Sequence, residues 1–567
     1  MSEADTDKAQ TPARPPRNRL ILKTLKARRA TARAIADFYE KVWVKGEGAV
    51  WFWGAVVGLI AGYAMLGFRI LISAIQVGGF GASIERISDA AEFLPWHAVL
   101  AVPIAGGLVV SGLLYLGKRW NWLPETRAES IADVIEARAV RQGRIEGKTT
   151  AWSALVSAVS LGAGASAGRE GPAVHLGAGL ASMLTRALGL PARSARTLLA
   201  CGAAAAVSAS FNAPIAGVLF ALEVILGHYA LRVIAPVAIA SIAASVIAAI
   251  HFGAEPAFLA PELTDLRLSY FPLAALLGFI SAFTAMAFMQ ATLKTPVITA
   301  RWAEKLSLPL WALPPFGGLA IGFIGLIWPE VLGIGYEATS AAIAGLYSIG
   351  LVITLCAAKI LATAVTTGFR FGGGMFSPSL FVGAMIGAAF GGLVDQSPLA
   401  SSSEPFFALI GMGAVAGAVL GAPISTTLIV FELTRSYEAS AAMLVSVSIA
   451  TVIVQSMMRG SIFQRQIERH GYAIAEGPQR IILQTLRVRE FMTPVSKLEK
   501  EKIMEGAALF EDDSLGRALA LLKAEDLDGA AVKRRGGDQP VTGYISRTDA
   551  LIAYNKALED AHIERSR

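Results

Sequence analysis

Charge is what this chain lacks. Only 16% of its 567 residues are Asp, Glu, Lys or Arg, against about 25% in an average soluble domain. Cysteine is almost missing, with 2 in all. Cys201 and Cys356 both lie in apolar segments, which excludes a disulfide framework and reads as buried, inert thiols. Histidine is scarce too, at 6. No Cys/His ligand spacing and no Ser–His constellation is present, so a membrane-embedded enzyme has neither a nucleophile nor a metal cluster to build on. No pattern calls for a cofactor. What the chain has in abundance is apolar surface: 54% of residues are hydrophobic and the mean hydropathy is +0.54. Apolar runs at 50–67, 99–117, 233–250 and 271–289 are near the length of a bilayer-spanning helix, about 20 residues. The chain reads as an integral membrane protein.

Its two ends differ from the middle. Residues 1–48 are polar and rich in Lys and Arg. No short apolar region with a cleavage site follows directly, so a signal peptide is not the reading. The basic excess beside the first span places this end in the cytoplasm. The net charge of +7 is the same topogenic bias, not a nucleic-acid footprint. From about residue 472 the composition turns soluble. The organisation expected is a basic cytoplasmic segment 1–48, a membrane domain 49–471 with halves at about 49–250 and 271–471, and a cytoplasmic tail 472–567.

Within the membrane region the apolar segments are short and broken by Gly and Pro. Irregular backbone at membrane depth survives only where protein or a water-filled path satisfies it, and interrupted segments point to a transport site. The texture also repeats. "GREGPAVHLGA" (168–178) pairs with "GMFSPSLFVGA" (374–384), matching Gly168, Pro172 and Gly177 to Gly374, Pro378 and Gly383. "CGAAAAVSASFNAPIAGVLFALEV" (201–224) pairs with "IGMGAVAGAVLGAPISTTLIVFEL" (410–433), matching Gly202, Pro214 and Glu223 to Gly411, Pro423 and Glu432. This is an internal duplication. Glu223 and Glu432 read as repeat-related structural acids at helix ends.

Pro is tolerated in the first helical turn. Pro172 therefore starts a helix with its end near Glu170 and Gly171, and Pro378 starts one after Phe376. Free N–H groups at such ends carry partial positive charge and hold anions without a full cation. Two such ends aimed at one point would make a site for a small anion near the midplane. Glu170, itself an anion at that point, would compete with the ion and leave when protonated. The alternative is a Glu170–Arg169 pair that only joins helices. An ionisable residue at this depth is a functional candidate by default.

"GREGP" (168–172), "GMFSP" (374–378) and the run from "FNAP" to "LFALE" (211–223) resemble the CLC family of chloride channels and chloride/proton exchangers, of prokaryotic type. The resemblance covers most of 50–470. It implies an all-α membrane fold of tilted and re-entrant helices in two inverted halves. It implies a homodimer with one anion pathway per subunit, in a bacterial inner membrane with both termini cytoplasmic. It puts Glu170 on the gating glutamate, Met375 and Phe376 on the backbone amides that meet the central anion, and Arg169 and Gly171 beside them.

Three positions depart from the family pattern. The Gly-Ser-Gly-Ile-Pro type motif becomes "AESIADVIEA" (128–137), with Glu129 on the anion-binding serine and Ser130 next. The tyrosine that supplies a second hydroxyl becomes Phe463, which cannot donate. The proton-transfer glutamate of exchangers becomes Val224, as in many channels. Glu125, Glu129 and Asp133 are spaced for one helix face, so Glu129 reads either as part of a solvated stripe or as a proton relay pointing into the path. His175 reads as a helix-packing histidine bonded to a carbonyl or as a relay. Lys359 is expected to pack or snorkel.

In the tail, "VREFMTPV" (488–495), "DSLGRALALLKAED" (513–526), "GAAVKRR" (529–535) and "VTGYISRTDAL" (541–551) resemble a single CBS-like module, about 487–556, a small α/β unit. The resemblance makes it either a dimerisation module or a site where Ser546, Thr548 and Asp549 hold an adenine nucleotide. The functional expectation is transport of chloride or a similar small anion through a path gated by Glu170. Val224 favours passive conduction, and a proton exchanger using Glu129 is the alternative.

Overall fold

The computed structural model describes residues 47–81, 87–253, 270–397, 403–434, 437–472, 478–494, 508–535 and 541–566. The basic segment assigned to 1–48 lies outside these except for its last two residues. The chain divides into two compact units, one ending at Trp53 and one starting at Gly54. Of the first, only 47–53 is described. Nine helices among the described residues are long and apolar enough to cross a membrane.

Helix α1 (Glu47–Phe80) carries Gly54, Gly58 and Gly62. These are spaced one per turn, so that backbone can approach backbone. A Cβ on Gly54 would come within 2.9 Å of the Pro236 carbonyl oxygen. Helix α2 (Ile131–Val140) is short and begins after extended Ser130. Helix α3 (Glu170–Ala187) has Pro172 in its first turn, as the glycine–proline pattern predicts. Helix α4 (Ala192–Phe211) ends at Asn212 in the left-handed region, φ 54°. Helix α5 (Pro214–Phe220) runs on into a π-helical turn at Ala221–Leu226. Helix α6 (Leu231–Phe252) packs its Pro236 and Ala240 against the glycines of α1.

The second half follows the same plan. Helix α7 (Tyr336–Ile343) starts after left-handed Gly335, and α8 (Ile349–Gly368) leads to the glycine run before α9 (Phe376–Asp395). Helix α10 (Glu404–Leu420) ends at left-handed Gly421, and α11 (Pro423–Thr434) follows at once. Thus α3, α4 and α5 correspond to α9, α10 and α11, with Asn212 and Gly421 at the same turn of the repeat. Helix α12 (Ile462–Arg469) closes the membrane region with a cap at Ser461.

The matched glycines mark one contact made twice. A Cβ on Gly177 would overlap the Gly202 carbonyl, and a Cβ on Gly202 would overlap that of Gly177. Gly383 and Gly411 block each other in the same way. The two halves then meet at Gly168 and Gly374. Gly168 N–H donates to Gly374 O at 2.8 Å and Gly374 N–H donates back at 2.6 Å, as an antiparallel bridge. That bridge brings the starts of α3 and α9 together. Both helices are largely buried, and α9 is the most buried of the membrane-length helices, at 83% of its apolar window.

Among its described residues the tail forms a four-stranded sheet in the order β1-β4-β3-β2. Its strands are β1 (Thr493–Pro494), β2 (Ala508–Phe510), β3 (Gly529–Lys533) and β4 (Val541–Ser546). Helix α13 (Leu515–Ala524) connects parallel β2 and β3, and α14 (Arg547–Ser566) follows β4. Val488, Leu509, Leu515, Leu522, Val532 and Ile545 fill its core. This small α/β arrangement is compatible with a CBS-like module.

Candidate anion site and gate

Three residues named from the sequence, far apart in the chain, line one cavity. Ser130, Met375 and Phe463 share a space of about 420 Å³ with Gly373, Arg127, Arg370, Arg469 and His470. Ser130 arrives from the start of α2, Met375 from the start of α9, and Phe463 from the first turn of α12. Arg469 and His470 reach it from the end of α12. Phe376 is buried behind Met375, with its ring 5.2 Å from that of Phe211. Gly171 must be bare. A Cβ there would overlap the Ser130 hydroxyl and lie 2.8 Å from Gly374 Cα.

Glu170 stands beyond this end, 2% exposed. Its Oε1 accepts a hydrogen bond from the Tyr336 hydroxyl at 3.1 Å. Its Oε2 is buried with no hydrogen-bond partner among the described residues. Arg169 Nε is 3.9 Å from Oε1, too long for a hydrogen bond. Arg169 instead donates from Nη2 to the Ser210 carbonyl at 2.9 Å. It faces a second, much smaller pocket of about 10 Å³, room for one water. Glu170 lines neither space, and the one beside Arg169 is far smaller than the cavity at Ser130.

Glu129 is not on the cavity wall. Its Oε2 lies 2.9 Å from His175 Nε2, so the reading that aims it into the path is corrected. The expected helical stripe is corrected as well. Asp133 accepts the Ser130 N–H at 2.7 Å, which starts α2 only at Ile131 and leaves Glu125 in a turn and Glu129 outside any helix. Glu125 and Asp133 instead share Arg127, whose two terminal nitrogens hold Asp133 at 2.9 and 2.6 Å while Nε holds Glu125 at 2.8 Å. Burial opposes the Asp133 charge, but the Arg127 guanidinium outweighs it and holds the carboxyl below the usual carboxylate range. His175 bonds a carboxylate rather than a carbonyl. Lys359 does not snorkel. It is 0% exposed and donates to the Val331 and Gly333 carbonyls at 3.0 and 2.9 Å.

The repeat-related acids cross between halves. Glu432 accepts the N–H groups of Ile215 and Ala216 at 3.0 and 2.7 Å, at the start of α5. Glu223 accepts those of Ile424 and Ser425 at 3.3 and 2.7 Å, at the start of α11, and the Ser425 hydroxyl as well. Val224 beside it is half-buried. Near the cavity, Asp133, Glu136 and His470 place ligand atoms within 4.8 Å of one another, a grouping that no sequence spacing showed. Glu136 already carries Arg141 at 2.6 Å and His470 at 2.8 Å. In the tail, Ser546 and Asp549 cap α14 by bonding each other, at 2.7 and 3.0 Å, and Thr548 is exposed.

The residues that the sequence reading missed are Tyr336 and Arg370. Arg370 carried a signal, as a cation in an apolar stretch just before "FGGGMF". It sits in the left-handed region at φ 65° with a buried Nε that has no hydrogen-bond partner among the described residues. Tyr336 carried none.

A sequence model described as "Voltage gated chloride channel" matches residues 106–455. The chain belongs to the CLC, or voltage-gated chloride channel, family. It is 30% identical over 430 residues to a putative chloride channel protein, ClcB-like, of Ralstonia nicotianae, covering 73% of this chain and 96% of that one. It is 31% identical over 420 residues to the H(+)/Cl(-) exchange transporter ClcA of Salmonella agona, covering 72% and 85%. Among solved structures, the fold matches a slow cyanobacterial Cl-/H+ antiporter with TM-score 0.64 at 22% identity, over 74% of this chain and 97% of that one. A CLC-type fluoride/proton antiporter matches with TM-score 0.60 at 21% identity, over 73% and 97%. The fold is that of the CLC family, and its relatives include both channels and exchangers.

Proposed function

We propose that this CLC protein carries chloride or a similar small anion across a membrane, with Glu170 as the gate. The supporting observation is the cavity on which Ser130, Met375 and Phe463 converge, which stops short of a buried carboxylate. Anions enter from the tail side, past Arg370. They are held by the Ser130 hydroxyl and by the backbone at the start of α9, where unpaired N–H groups and the helix dipole favour negative charge. Phe463 shapes the site without donating. Glu170 occupies the far end and withdraws on protonation. With valine at 224, passive conduction is the first reading. The reading includes a homodimer and cytoplasmic termini, as the resemblance implies.

The test is anion efflux from vesicles under a chloride gradient at a series of pH values. Glu170→Gln should conduct without pH dependence, because its side chain no longer titrates. Loss of all flux in a folded Glu170→Gln protein would overturn the gate assignment.

One observation favours proton exchange as a second reading. Glu129 is partly exposed, at 18%, and meets fully buried His175, which lies on the helix that Glu170 begins. The pair would carry a proton along α3 by a route separate from the anion cavity. Proton movement driven by a chloride gradient in wild type, lost in Glu129→Gln with chloride flux retained, supports exchange. No such movement in wild type leaves conduction.

A further inference from the structure

The blocking position of Glu170 needs something to hold it, and its neighbouring arginine does not form that bond. The charged and titratable groups that face it are Arg169, at 3.9 Å, and Tyr336 from α7, whose hydroxyl donates to Oε1 at 3.1 Å. From α9 the nearby residue is uncharged Ser377, whose N lies 3.1 Å from the place a Cβ on Gly168 would take. The hydroxyl of Tyr336 is thus the one side-chain group that donates a hydrogen bond to the Glu170 carboxylate among the described residues.

The segment that delivers Tyr336 is fixed from three directions. Lys359 of α8 is wholly buried, and its ammonium donates to the carbonyls of Val331 and Gly333. Gly333 N–H donates to the Gly164 carbonyl at 3.1 Å, which ties the segment to the turn that precedes Gly168. Gly335 has φ 88°, a conformation that L side chains rarely adopt, and a Cβ there would come within 2.7 Å of the Phe381 ring of α9. The Lys359 ammonium also lies 4.9 Å from the centre of that ring. The Arg169 guanidinium sits 5.4 Å from the centre of the Tyr336 ring and closes the arrangement from the other side. Burying a lysine ammonium is costly, and its bonds to two loop carbonyls offset that cost while fixing the loop. Here the geometry sets where the phenol points.

We propose that Tyr336 is the latch of the gate: its hydroxyl holds the Glu170 carboxylate in the blocking position, and Lys359 is the brace that keeps Tyr336 in place. This rests on Glu170 being the gate. A hydrogen bond to a charged acceptor changes an equilibrium by roughly tenfold or more. Without it the blocking position is populated less, and fewer protons are needed to clear the path.

The experiment is chloride efflux from vesicles at a series of pH values for wild type, Tyr336→Phe, Glu170→Gln and the double variant. Phenylalanine keeps the ring, so folding is not at risk. The acid-activation profile of Tyr336→Phe should move to higher pH by about one unit, tenfold in proton concentration, with its plateau rate unchanged. The profile of Glu170→Gln should be flat, and the double variant should match it. Lys359→Met should shift the profile in the same direction and add little to Tyr336→Phe. A Tyr336→Phe profile that superimposes on wild type, beside a flat Glu170→Gln, overturns the latch and leaves the gate standing. A sloping Glu170→Gln profile overturns the gate and the latch with it.

Discussion

Replacing Glu432 by alanine tests whether the duplicated acids hold the two halves together. The Glu432 carboxylate accepts two backbone N–H groups, of Ile215 at 3.0 Å and Ala216 at 2.7 Å. Both are first-turn donors of α5 with no intrahelical acceptor. The pair is charge-assisted and sits on the positive end of a helix dipole, so each bond contributes about 1.5–3 kcal/mol. Ile215 is 56% exposed, and surrounding water or detergent takes up part of the loss there. The lower end applies, about 3 kcal/mol for Glu432→Ala. Glu432→Gln keeps one good acceptor oxygen and should cost about half as much. Glu223→Ala removes the mirrored pair at the start of α11 and should cost a similar amount, raised by the orphaned Ser425 hydroxyl. Both contacts hold the α5–α11 junction, so the double variant should lose less than the sum of the singles. The assay is thermal inactivation of detergent-solubilised protein, followed by tryptophan fluorescence at a fixed heating rate, because such unfolding is often irreversible. An inactivation temperature for Glu432→Ala equal to wild type, or a glutamine variant as damaged as the alanine one, would refute the reasoning.

Arg370→Gln should raise the anion concentration that half-saturates flux from the tail side, on the order of tenfold at low ionic strength, because it removes a charge that focuses anions in a cleft. The effect should shrink in high salt, and an unchanged half-saturation at low salt would remove Arg370 from the pathway. The His470 link between α12 and α2 should depend on pH. The Glu136 carboxylate, outweighing burial, raises His470 above the usual 6.5. The link therefore stabilises fully below 6.5 and is lost as pH rises through the raised value. The heat stability of wild type should exceed that of His470→Gln in mild acid and converge with it in alkali. A gap independent of pH would show that the imidazole charge is not what joins them.

The sequence by itself determined what is local. Apolar runs gave the membrane spans, since length and hydropathy are properties of a single segment. The starts of α3 and α9 followed from glycine and proline at fixed offsets, and the matched Gly, Pro and Glu positions revealed the duplication. What the helix ends and turns then face was decided by tertiary structure. Glu129 and Ser130 are neighbours in sequence. Extended backbone at Ser130 sends it to the cavity and Glu129 to His175, with the Ser130 N–H held by Asp133 and the Glu129 N–H held by Ser153. Glu432 was legible as a structural acid, but its partners lie 217 and 216 residues away in the other half. Tyr336 meets Glu170 across 166 residues. A tyrosine outside any motif gives no periodic or compositional signal. Its role exists only because Lys359, Gly335 and Phe381 fold together and point its hydroxyl at one carboxylate.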